Sequence, residues 1–104
     1  MKMIKKLAEM IEDELDGAEE YVEEAIHHKE DFPEVAQTFL ELAHTELGHV
    51  DTLHNQVVRL IEQHRKEHGD PPAAMLAVWD YAHEKHMSKY REIKALMLDF
   101  RAKS

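Results

Sequence analysis

Helix formation is interrupted at only two places in the 104-residue chain, and these interruptions limit what it can fold into. The first is Asp31-Phe32-Pro33-Glu34. Here Asp31 is expected to cap a new helix with Glu34 three residues on, as in a capping box, and Pro33 falls in the first turn, where its missing N–H costs nothing. The second is Gly69-Asp70-Pro71-Pro72, a helix-ending glycine followed by a capping aspartate and first-turn prolines. Three helices are predicted, near residues 2–29, 33–67 and 72–102, with ends good to about two to four residues. At 1.5 Å per residue each is roughly 40 to 50 Å long. Long helices joined by short loops pack antiparallel, so the chain reads as all-α: an up-down bundle of three helices forming one domain over residues 1–104.

Composition narrows the chemistry. There is no cysteine, which removes disulfides, thiol nucleophiles, thiolate zinc sites and iron–sulfur ligands. Thirteen basic against 22 acidic residues give a net charge of −9, which repels nucleic acid and anionic membranes. No stretch approaches the roughly 20 apolar residues needed to span a bilayer, and Met1 to Met10 lacks the apolar core of a signal peptide. A cytoplasmic protein is therefore expected. Nine histidines remain as the side chains able to ligate metals or titrate near neutrality.

Each helix carries an apolar seam at alternating spacings of three and four. In the first it runs Ile4, Leu7, Ile11, Glu14, Ala18, Tyr21, Ala25. In the second it runs Val35, Phe39, Leu42, Glu46, His49, Leu53, Gln56, Leu60, beside a parallel stripe from Ala36 through Leu40, Ala43, Leu47, Val50, His54 and Val57 to Ile61. The third runs Leu76, Trp79, His83, His86, Tyr90, Ile93, Met97, Phe100. All three seams are broken by ionisable groups near mid-helix: Glu14, then Glu46 and His49, then His83 and His86. An unpaired carboxylate in an apolar interior costs several kcal/mol, so such groups require cations, donors or metals. Glu46 and His49, three apart, share one helical face, and carboxylate with imidazole is a ligand set suited to iron, manganese or zinc. Glu14 at the same level on an antiparallel neighbour would complete the site, and Tyr21, two turns along, is placed to donate its hydroxyl to a buried carboxylate. His27, His28, His44, His64 and His68 read as surface residues, and Gly48 admits either close helix approach or plain tolerance.

Glu14-x6-Tyr21 followed by Glu46-x-x-His49, with Phe39 and Leu42-Ala43 ahead of the latter, resembles the first half of the ferritin-like, rubrerythrin-like di-iron carboxylate superfamily. The resemblance covers roughly residues 4 to 60. In that superfamily two helices each give a Glu and two others a Glu-x-x-His to a four-helix core. The sequence departs from this pattern because the third helix has no second Glu-x-x-His and no cysteine-ligated iron domain is present. What remains is similar to a half-ferritin of the encapsulated type, although Arg101-Ala102-Lys103-Ser104 offers no evident shell-docking peptide. The resemblance implies a homodimer or higher homo-oligomer in which Glu14, Glu46 and His49 meet their copies, giving 2 × 3 = 6 ligands to a di-iron centre. It also implies ferroxidase or peroxide- or oxygen-reducing chemistry, with electrons from an external donor.

The third helix has two open roles: His83 and His86 enter the metal site, or the helix covers the half-bundle and they meet polar partners. The alternative to an iron oxidoreductase is a non-catalytic interaction or regulatory module holding a redox-silent metal or none. A histidine-driven pH switch is a third reading, requiring His83 and His86 to be buried without metal.

Overall fold

The computed structural model describes residues 1–103, and its architecture is the expected all-helical bundle: α1 (Lys2–His27), α2 (Pro33–His68) and α3 (Ala73–Ala102). Contacts fix the directions. Glu14 meets His49 while Gly17 lies against Glu46, which runs α2 antiparallel to α1, and Asp16 meets Lys89 while Lys29 meets Phe100, which runs α3 parallel to α1. The result is a rod of 56 × 18 × 17 Å whose length is that of α2, since its 36 residues rise about 54 Å. Among the described residues no helix is long and apolar enough to cross a membrane.

The breaks fall where the prolines and Gly69 dictate, but neither predicted aspartate cap forms. Pro33 opens α2 behind Phe32, with no side-chain cap; Asp31 instead turns back to His28, 3.3 Å away. Gly69 ends α2 at φ +79°, a conformation that favours glycine, and its N–H bonds Arg65 O at 3.1 Å. Asp70 pairs with Arg65 Nε at 3.2 Å instead of capping α3, which starts behind Pro72.

Of the two apolar stripes on α2, the one from Ala36 to Ile61 forms the core, with Ala36, Leu40, Ala43, Val50 and Val57 wholly buried against Ile11, Leu15, Ala18, Val22 and Ala25 of α1. The other, from Val35 to Leu60, stays half-open: Val35, Leu42, His49 and Gln56 are exposed, while Phe39, Leu53 and Leu60 pack only on its inner edge. The two stripes are offset by one residue, roughly 100° on the helix, and two neighbours cannot cover both. α3 closes the other side of the core with Trp79, Ile93, Met97 and Phe100. It lies chiefly along α1 and only lightly against the backbone of α2. Lys89 pairs with Asp16 and Glu19, and Lys29 sits 4.6 Å over the Phe100 ring while donating to its carbonyl at 3.0 Å.

Candidate metal centre

Glu14, Glu46 and His49 come together on the half-open side of α1 and α2, each offering one ligand atom within 4.8 Å of the others. The antiparallel pairing sets the level, and the three-residue spacing of Glu46 and His49 turns both toward Glu14. His49 Nδ1 stands 3.2 Å from Glu14 Oε2 and 3.9 Å from Glu46 Oε1. The carboxylate side chains are 27% and 25% exposed and His49 is 53% exposed, so the cluster is supported from below and open above.

The two carboxylates do not ionise alike. A hydrogen bond between them holds Glu14 below its ordinary value and pushes Glu46 above it. Partial burial pushes both upward, the charge of Glu14 adds to the rise at Glu46, and His49 pulls both down. Glu46 is therefore the carboxyl that keeps a proton longest, as expected when two like charges share a site without a cation. A divalent ion would displace that proton and resolve the repulsion, and two carboxylates with an imidazole are the donors that iron, manganese or zinc accept.

Gly17, three residues beyond Glu14 on the same face, belongs to this site although its spacing alone did not distinguish it. A Cβ there would stand 3.2 Å from Glu46 Oε2, so the missing side chain makes room for the carboxylate. The available signal was a glycine at i+3 from a seam carboxylate in an otherwise strong helix. Gly48, by contrast, faces open space, and no neighbouring helix approaches it.

A groove of about 410 Å³ runs from Glu46 along Gly17, Glu20, Tyr21, Glu24 and Phe39, with no contribution from α3. Tyr21 stacks on Phe39 with ring centroids 6.2 Å apart. Within the described chain its hydroxyl bonds no carboxylate, so the expected donation to Glu14 or Glu46 is not made there. Nor does the structure bring His83 and His86 to the cluster. α3 lies on the opposite side of α1 from Glu14, and its two histidines turn inward beside His54 and Trp79. Comparison with known proteins adds nothing to this picture: no family model, curated protein or solved structure matches the chain.

Proposed function

We propose that the chain is an iron-binding protein of ferritin-like design, completed when two copies meet across their half-open α1–α2 faces. The observation that carries this reading is the convergence of Glu14, Glu46 and His49, from two helices, to within 4.8 Å. The apolar side chains flanking them, Met10, Val35 and Leu42, remain exposed in the single chain and support the same pairing. A two-fold axis makes such a face self-complementary and doubles the ligand set to six, the complement of the di-iron carboxylate superfamily that the sequence resembles. Ferrous iron held by Glu14, Glu46 and His49 of the two copies would supply two one-electron equivalents for the reduction of hydrogen peroxide or oxygen. The protein's share is to hold paired carboxylates whose charge matches two cations, to leave the face above His49 open to a small oxidant, and to present acidic Glu20 and Glu24 along the approach. Electrons for a further turnover come from an external donor.

The same donor set accepts zinc or manganese, and this carries the second reading, a non-catalytic interaction module with a redox-silent ion. Ferrous loading in the presence of oxygen or peroxide, followed by metal analysis, separates the two. About one iron per chain is expected in a dimer, with Glu46→Ala and His49→Ala binding none. Oxygen or peroxide consumption on loading supports the oxidoreductase, and zinc retention without consumption supports the module. Wild-type protein as empty as the two variants overturns both.

A further inference from the structure

Three of the histidines that the metal cluster does not use, His54, His83 and His86, lie together elsewhere. His54 of α2 stacks on His83 of α3 with ring centroids 4.7 Å apart. Trp79 lies 5.5 Å from His83, 6.0 Å from His54 and 6.4 Å from His86, which it meets edge-on. His86 is only 6% exposed, and Nδ1 of both His83 and His86 is buried with no hydrogen-bond partner. A neutral imidazole can leave its acceptor nitrogen idle at modest cost. An imidazolium has two N–H donors, and one shut away from both water and acceptors costs about 1–3 kcal/mol.

The surrounding charges do not make good that loss. His83 faces His54 from α2, with Asp80 and Glu84 on its own helix. His86 faces Glu12 from α1, His54 from α2, and His83 and Lys85 on its own helix. Asp80, Glu84 and Glu12 are exposed, and their attraction is screened, so burial dominates and holds both histidines below the ordinary imidazole value of 6.5.

The position of the cluster gives this preference a mechanical effect. α3 makes little backbone contact with α2, and these rings, together with the bond from Tyr90 to Asp51 at 3.2 Å, span the gap. Toward α1 the N-terminal half of α3 also stands off, leaving a cavity of about 500 Å³ among Ile4, Ala8, Glu12, Met75, Trp79 and His86. The ring cluster therefore helps to close this end of the rod, beside Met75 and Leu76, which pack against the core.

We propose that His83 and His86, packed with His54 and Trp79, form an acid-sensitive latch that holds the N-terminal half of α3 on the α1–α2 pair and releases it when the rings take up protons. The direction follows from linkage. A released imidazole binds protons near its ordinary value and the docked one does not, so docking is at full strength above about pH 6.5 and weakens as the pH falls through that value. The latch is independent of the metal reading, since none of its residues lines the Glu14 groove.

Trp79, the chain's one tryptophan, reports the latch directly. Metal-free full-length protein is taken from about pH 8 to about pH 5 while tryptophan emission and far-ultraviolet circular dichroism are recorded. Emission is expected to shift to the red below about pH 6.5 with most of the helix retained. In His83→Gln/His86→Phe the emission is expected to remain blue over the same range. Imidazole proton resonances of the wild type give a second readout that does not depend on the variant folding, with His83 and His86 taking up protons in step with the Trp79 transition. A pH-independent Trp79 emission overturns the proposal. So does a transition unchanged in the double variant, or protonation of both rings without any change at Trp79.

Discussion

The two sides of α1 are built from the same kinds of residue and do opposite things with them. On one side His49 stands beside two carboxylates, with over half its side chain in water and no third helix above it. On the other, His83 and His86 are packed among aromatic rings, with one nitrogen of each shut in and unbonded. The first is an excess of negative charge open to a cation; the second is a region that excludes charge of either sign. What separates them is the third helix. It buries one set of histidines, and leaving the other side uncovered keeps Glu14 and Glu46 a quarter exposed and ready to be neutralised from outside.

If the two sides are distinct in function, the largest effect is a clean split in metal binding. His49→Ala is expected to abolish iron or zinc binding, while His83→Gln leaves it unchanged. Equilibrium dialysis with either ion checks this, and a comparable loss in His83→Gln would collapse the distinction. A subtler test uses the missing side chain at Gly17. Gly17→Ala is expected to raise thermal stability, because alanine is favoured in a helix by about 1 kcal/mol and the flexible end of Glu46 can move aside. The same displacement should weaken metal binding severalfold. Calorimetric unfolding and dialysis on one variant would therefore move in opposite directions.

The smallest effect concerns protons without metal. Glu46 is raised by sharing a hydrogen bond with Glu14, so the stability it contributes is fully present below its ordinary value of 4.5 and is lost as pH rises through its raised value. Glu14, lowered by the same bond, contributes stability above its ordinary value that is lost as pH falls through its lowered one. At neutral pH the net strain sits on Glu46. Glu46→Gln should stabilise the metal-free protein by less than about 1 kcal/mol at neutral pH, with the gain disappearing in acid. Thermal melts across that range check it, and a loss of stability at neutral pH would show that the pair is not strained.

The length and order of the helices were legible because Pro33, Gly69 and the Pro71-Pro72 pair leave so little choice of break. The Glu14, Glu46 and His49 cluster was legible for a similar reason: antiparallel pairing and an i, i+3 spacing leave few other ways for those side chains to meet. Which stripe of α2 becomes core was not legible, since both are apolar and the decision depends on where α3 docks. The fate of His83 and His86 shared that dependence, because the His54 ring that stacks on one of them belongs to a different helix. The failed caps have a local cause: Asp31 and Asp70 each found a nearer cation, or a side chain able to become one, in His28 and Arg65. Gly17 was hidden because only the position of Glu46 across the groove gives its bare Cα a meaning.

The proportions of the rod have a hydrodynamic consequence. At 56 Å by 18 Å a single chain is about three times as long as it is wide, so it drags more solvent than a sphere of 12.2 kDa. Pairing side by side along the half-open face would double the width and add nothing to the length, leaving about half the elongation. Friction would then grow more slowly than mass. A column that separates by Stokes radius would register the pairing as a change well short of a doubling, whereas light scattering, which weighs particles without regard to shape, would register all of it.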